Sequence, residues 1–317
     1  MIDFPPCFHP TTVVLVDDNV RFMESLSFGL HSLDVNFKLF GSAKEALEWM
    51  NASRSSAEVS TGVDTDEGAL PSFKQHMFDA TRFDEVTIVV VDYDMPEMSG
   101  LDFCKGIQNP QVKKIMLTGV AGENIAIQAF NDDAIDRFIV KQDAQALEKV
   151  MENIALLQRD YFNSKTANLQ QHQIIHSYFP FLEEAAFRVV FDELFHQGRY
   201  IEYYVDTIPG GVWLIKGNGD TDFLAVQSEG LCADQLVVAR DQEAPAELLE
   251  ALDNEDVIAC FPSGGYYSPD CTQWQSALHQ ASVCEGDEQN YRYALVQGLS
   301  PERSGSELLS FHAFLDE

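Results

Sequence analysis

Asp92 ends a run of apolar β-formers, Ile88-Val89-Val90-Val91, and the acid pair Asp17-Asp18 ends an earlier run, Val13-Val14-Leu15-Val16. Thr118 ends a third run, Ile115-Met116-Leu117, and Lys141 a fourth, Phe138-Ile139-Val140. Three carboxylates held together repel one another, so ionising all three is costly. A divalent cation relieves that repulsion. Mg²⁺ takes oxygen ligands, commonly one or two carboxylates together with phosphate oxygens. An Asp beside such an ion can act as a nucleophile and hold an aspartyl phosphate. Phosphoryl transfer then asks mainly for positioning and charge neutralisation. A hydroxyl from Thr118 and an ammonium from Lys141 would take the remaining phosphoryl oxygens. The set reads as a phosphoaspartate site.

The elements that must position these groups follow from hydrophobic periodicity. Strands are expected near 12–17, 35–40, 86–91, 113–117 and 136–140. Helices are expected near 19–31, 43–51, 99–107, 122–132 and from 143 onward. Five alternating units imply an α/β, flavodoxin-like, doubly wound parallel sheet of five strands, and such a sheet binds ligands at the carboxyl ends of its strands. Ser42 with Glu45 three residues on is a capping box for the second helix.

The motifs VLVDDN (Val14–Asn19), VDYDMPEMSG (Val91–Gly100), MLTG (Met116–Gly119) and VK (Val140–Lys141) resemble those of a response-regulator receiver domain of bacterial two-component signalling. The resemblance covers about residues 11 to 142. It implies that Asp92 is the phosphoacceptor. It implies Mg²⁺ at Asp17, Asp18 and Asp92, with the Asp94 backbone carbonyl contributing. It makes Thr118 the switch hydroxyl, Phe138 the switch aromatic and Lys141 the phosphate partner. The family's proline after the lysine is Gln142 here. A sensor histidine kinase or a phosphotransfer protein would be the donor, and the only catalysis implied is the receiver's own phosphotransfer and dephosphorylation.

The expected organisation is an N-terminal extension (1–10), the receiver (11–142) with a long insertion at about 51–85, an extended helix and linker (143–172), and an α+β output domain with an antiparallel sheet (173–317). The insertion is polar to Gly68 and then carries Leu70, Phe73 and Met77, a face that would pack locally or dock on a partner or the output domain. Leu147, Val150, Ile154, Leu157 and Tyr161 form a heptad-like seam. The first three would cover the receiver's own sheet, whereas Leu157 and Tyr161 are candidates for a dimer or interdomain contact. In the output half an apolar helix spans about 181–195 with Gly198 as its C-cap. Strand-like runs follow at Tyr200–Val205, Val212–Lys216 and Phe223–Gln227, the last two joined by an Asn218-Gly219 hairpin turn. Helices are expected at 233–240 and 246–252, and further strands at 257–261 and 291–296.

Charge bounds the partners. The net charge is −31, with 22 acids and 11 bases through Gln142 and 29 acids and 9 bases after it. Gripping DNA requires several Lys or Arg to displace counterions from phosphates, so a DNA-binding output is disfavoured and anionic membranes are no better suited. Met1–Phe8 lacks a basic region followed by an apolar stretch, and the six cysteines show no CxxC or zinc spacing; both fit a cytoplasmic protein with reduced thiols.

The output half carries no GGDEF-like, HExxH, GxSxG or P-loop string. Glu45-Ala46-Leu47 matches a phosphodiesterase tripeptide only by coincidence. His172 and His176 stand one helical turn apart with no further ligand obvious beside them. Gly210-Gly211 and Gly264-Gly265 read as turns, because no helix start with Lys follows either pair. The opening FHPTTVVLVDDN (Phe8–Asn19), with the stretches Ile201–Val205 and Gly211–Val226, is similar to the α-hydroxyketone quorum-sensing response regulators of Legionella and relatives. That likeness names no output chemistry. The expectation is that phosphorylation switches dimerisation, giving a phosphorylation-dependent homodimer, or interdomain contacts, of an output domain that binds protein partners, with an enzyme or small-ligand or nucleotide sensor as the alternative and an atypical DNA-binding regulator third.

Overall fold

The computed structural model describes residues 4–31, 33–52, 73–119, 127, 129–130, 133–171, 177–208, 210–254, 256–261, 264–301 and 307–316. The chain divides into two compact units, Pro10–Val59 with Thr81–Lys165, and Met1–His9 with Ser60–Ala80 and Thr166–Glu317. Among the described residues no helix is long and apolar enough to cross a membrane. All six cysteines are free thiols.

The first unit holds a five-stranded parallel sheet. Its strands are β2 (Thr12–Val16), β3 (Asn36–Phe40), β4 (Val86–Asp92), β5 (Lys113–Thr118) and β6 (Arg137–Val140), in the order β3-β2-β4-β5-β6. This is the flavodoxin-like order. The apolar runs are continuous because both faces are covered. Val14, Val16, Val89, Val91 and Met116 pack with Ala43, Ala46, Phe103 and Cys104 of α2 (Ala43–Ala52) and α3 (Gly100–Gly106). The alternate residues Val13, Leu15, Ile88, Val90, Ile115 and Leu117 pack with Leu26 and Leu30 of α1 (Val20–Leu30) and with Val150, Ile154 and Leu157 of α4 (Ala146–Gln171). The helix expected over 122–132 lies largely outside the described residues.

Helix α4 settles where its seam goes. Leu157 belongs to the parallel sheet's own core rather than to the dimer or interdomain face considered for it, and Tyr161 is buried. Tyr161 donates its hydroxyl proton to Glu85 Oε1 at 2.6 Å, and Lys165 pairs with the same oxygen. Gln158 reaches Thr11 Oγ1 at 2.8 Å.

The second unit is built on a six-stranded antiparallel sheet, β1-β7-β8-β9-β13-β12. Its strands are β1 (Cys7–Phe8), β7 (Tyr200–Asp206), β8 (Gly211–Lys216), β9 (Thr221–Ser228), β12 (Ser282–Glu285) and β13 (Asn290–Gln297), and β10 (Val257–Ala259) pairs separately with β11 (Leu278–Gln280). Asn218 and Gly219 make the β8–β9 turn, with Gly219 at φ +90°. Helix α5 (Ala185–Gly198) places Phe187, Phe191 and Phe195 on one stripe, and Phe191 and Phe195 meet Tyr203 of β7. Helix α5 does not stop on a glycine cap. Gly198 is its last helical residue, where a Cβ would stand 2.0 Å from the Tyr200 ring, and the left-handed residue after it is Arg199 at φ +54°. Helices α6 (Glu229–Asp241) and α7 (Ala246–Leu252) share a core with β10, and α8 (Phe311–Leu315) closes the chain.

Two segments distant in sequence join this sheet. Strand β1 pairs with β7, Cys7 facing Tyr204 and Phe8 facing Tyr203. From the insertion, the 3₁₀ turn Lys74–Phe78 follows Phe73, whose N–H donates to the Val205 carbonyl at 3.0 Å, and Phe73 and Met77 are buried. Leu70, His172, His176 and the expected start of the output domain at Gln173 fall outside the described residues.

Candidate functional site

The carboxyl edge of the parallel sheet gathers the expected groups. Asp92 is the last residue of β4 and Thr118 the last of β5, while Asp17 and Lys141 directly follow β2 and β6. Asp17, Asp92 and Thr118 are buried, and Asp18 is exposed. Each of the carboxylates Asp17, Asp18 and Asp92 offers an oxygen such that the three lie within 4.8 Å of one another. The Lys141 ammonium bridges two of them, 2.6 Å from Asp17 Oδ2 and 2.8 Å from Asp92 Oδ2.

Local structure explains the placement. Asn19 caps α1, accepting the Phe22 N–H, while its own N–H donates to Asp17 Oδ1 at 2.8 Å. This turn points the acid pair at the sheet edge. The Lys141 N–H donates to the Thr118 carbonyl at 2.9 Å, tying the β5 and β6 ends together. Phe22 places its ring 4.7 Å from the Lys141 ammonium, a cation–π contact that holds the side chain over the site. Thr118 donates its hydroxyl proton to the Gly119 carbonyl at 2.9 Å. Phe138 is half-buried, paired with Met116 across the β5–β6 ladder. The Asp94 side chain is exposed, and its backbone N–H bonds Asp92.

The electrostatics are opposed. Burial raises the Asp92 carboxyl above its ordinary value; the hydrogen bond and charge of Lys141 work against that rise, and the neighbouring Asp17 charge adds to it. At the rim, Glu97 accepts from the Ser42 hydroxyl at 2.7 Å and from the Lys44 N–H at 3.2 Å. These bonds hold its carboxyl below the ordinary range. Ser42 also caps α2 through the Glu45 N–H at 3.3 Å.

Two contributors went unassigned in the residue pattern. Gly100 sits within a recognised motif, but its role is steric: the chain returns so closely over β4 that a Cβ there would stand 2.3 Å from the Asp92 carbonyl oxygen. Phe22 gave no signal, since an apolar residue on an amphipathic helix reads as core.

Residues 69–152 match the family model of the response regulator receiver domain. This parallel-sheet unit is a response regulator receiver domain. The whole chain is also similar to the Legionella pneumophila response regulator LqsR, with 29% identity, coverage of 100% of this chain and 96% of that one, and a TM-score of 0.80. Two further structures match about half the chain. An uncharacterised protein from Neptuniibacter caesariensis has 25% identity, covering 50% of this chain and 95% of that one at a TM-score of 0.37. A CheY-like response regulator receiver domain protein from Methanospirillum hungatei JF-1 has 18% identity, covering 48% and 96% at a TM-score of 0.35. No curated protein matches the chain. The receiver's acidic cluster, with Asp17 and Asp92 buried and Asp18 exposed, is an all-oxygen donor set and fits a hard divalent cation such as Mg²⁺.

Proposed function

We propose that the receiver accepts a phosphoryl group on Asp92 from a histidine kinase or a phosphotransfer protein, with Mg²⁺ held by Asp17, Asp18, Asp92 and the Asp94 backbone carbonyl. The observation that carries this reading is the Lys141 ammonium set 2.6 and 2.8 Å from Asp17 and Asp92, at the sheet edge where ligands bind. An Asp92 oxygen attacks phosphorus, the donor's phosphorus–nitrogen bond breaks, and its electron pair leaves with the imidazole. Bound Mg²⁺ supplies positive charge to the phosphoryl oxygens. Lys141 exchanges a carboxylate partner for a phosphoryl oxygen. The Thr118 hydroxyl turns from the Gly119 carbonyl to a second oxygen, and Phe138 rotates into the space it leaves. Such a local charge change biases a bistable surface.

The antiparallel unit is the output, acting in the cytoplasm through protein partners or a phosphorylation-dependent homodimer. The 29 acids against 9 bases after Gln142 support this over DNA. The similarity to LqsR supports the quorum-sensing branch. Labelling with a small-molecule phosphodonor tests the site: wild type takes up one phosphoryl group in Mg²⁺, and Asp92→Asn takes up none. Full labelling of Asp92→Asn moves the phosphoacceptor elsewhere. Molar mass by light scattering with Mg²⁺ and beryllofluoride tests the assembly step.

A further inference from the structure

Both glycine pairs of the second unit border one cleft. Gly210 and Gly211, at φ +98° and +147°, form one wall, and Gly264 and Gly265, at +70° and +77°, form another. The floor comes from β9 and from the start of α6, through Val226, Ser228 and Leu231. The cleft measures about 300 Å³. At ~30 Å³ per liquid water it holds about ten waters, or a ligand of about as many heavy atoms.

The geometry is fixed rather than incidental. Gln235, buried in α6, donates to the carbonyls of Ala259 at 3.1 Å and Gly265 at 2.8 Å, pinning the glycine loop to the helix. Gly211 cannot carry a side chain, since a Cβ would stand 2.1 Å from the Leu224 carbonyl oxygen. The aromatic residues Tyr178, Phe179, Phe181, Tyr266 and Tyr291 also border the cleft; Tyr178 is exposed and Tyr266 half-buried, whereas Phe179, Phe181 and Tyr291 are buried. Burial pushes the Tyr291 hydroxyl up to about 12, and it accepts from Gln289 at 2.7 Å, so it stays a neutral group.

Among the described lining residues there is no Lys, Arg, His, Asp or Glu. This is a local property. A second cleft of about 490 Å³ in the same unit is lined by Lys74, Asp206 and His279. An ionised ligand in the glycine-walled cleft would lose hydration with no countercharge among the described lining residues; Glu184 and Glu288 act on Tyr291 from outside that lining. A neutral ring would meet edge or face contacts from Tyr178 and Tyr266. We infer that this cleft is a binding site for a small uncharged aromatic molecule of about ten heavy atoms.

Three probes share one bicycle and differ in charge: indole, the anion indole-3-acetate and the cation tryptamine. Calorimetric titration of each into the full unphosphorylated chain separates shape from charge, and no phosphodonor is present, so the result is independent of the Asp92 reading. Indole binds saturably at one site, and each charged probe binds at least about tenfold more weakly. Leu231→Trp, which fills the cleft from α6, abolishes indole binding; Ile208→Trp does the same from the β7–β8 turn, covering the case in which one variant fails to fold. Leu231→Lys shifts preference towards indole-3-acetate. Equal binding of all three probes, indole binding that survives a folded filling variant, or no saturable indole binding overturns the inference.

Discussion

Gly100 and Asp92 are in backbone contact: a Cβ added to Gly100 would stand 2.3 Å from the Asp92 carbonyl oxygen and 3.0 Å from its carbonyl carbon. The Gly100 N–H also donates to the Tyr93 carbonyl at 2.9 Å, closing the loop that carries Asp94. Backbone is the obstacle, so no rotamer change relieves it. Gly100→Ala is expected to cost about 1–3 kcal/mol and to slow Asp92 phosphorylation by displacing the loop. Thermal melts with phosphodonor labelling check both effects. An unchanged labelling rate would show that the close approach does not set the site's geometry.

The burial of Asp92 is expected to lower stability at neutral pH. Burial raises its folded carboxyl value, so the native state binds that proton more tightly than the unfolded chain does. Its contribution is therefore fullest below the unfolded carboxylate value of 3.8 and is lost as pH rises through the folded value. Asp92→Asn removes this loss and leaves Lys141 paired with Asp17 at 2.6 Å. In chelator, the variant should melt a few degrees above wild type at neutral pH, with the gain shrinking as pH falls into the carboxylate range. A variant melting below wild type at neutral pH would mean that the Lys141–Asp92 pair outweighs burial.

The receiver fold was legible because its strands are buried on both faces, so each reads as an apolar run with a polar terminus. The five expected strands fall within one residue of the observed bounds at every end. What could not be read was which surface meets which. The heptad-like seam of α4 is the same string whether Tyr161 faces a second copy or Glu85. Gly198 reads as a cap, and only the Tyr200 ring shows why it is small. Pairing Cys7 with Tyr204 joins residues far apart in the chain through a strand of two residues, too short for any periodicity. The same non-locality hid the shared cleft of the two glycine pairs.

Phe4 belongs to the antiparallel unit's core despite its place at the chain's start. It is buried, with its ring 4.6 Å from Phe191 in an edge contact and 5.1 Å from Tyr203. Phe4→Ala should cost about 3–5 kcal/mol, read as a shift in denaturation midpoint, whereas a free tail would show no shift. Near-ultraviolet dichroism, which reports the aromatic cluster, should fall with the same transition.

Glu85 gives the sharpest contrast between two contacts at one carboxylate. Its side chain is 8% exposed and takes the Tyr161 hydroxyl proton at 2.6 Å and the Lys165 ammonium on the same oxygen. Burial drives the Tyr161 phenol far up, so that group is a neutral donor at any working pH. Tyr161→Phe removes a hydrogen bond to a charged group, worth about 1.5–3 kcal/mol. Lys165→Met removes a countercharge from a carboxylate held away from water, and breaking such a pair costs about 3–5 kcal/mol. Denaturant melts of the two single variants should therefore rank Lys165→Met as the more damaging. The reverse ranking would mean that Glu85 is anchored chiefly by the phenol and that the ion pair adds little.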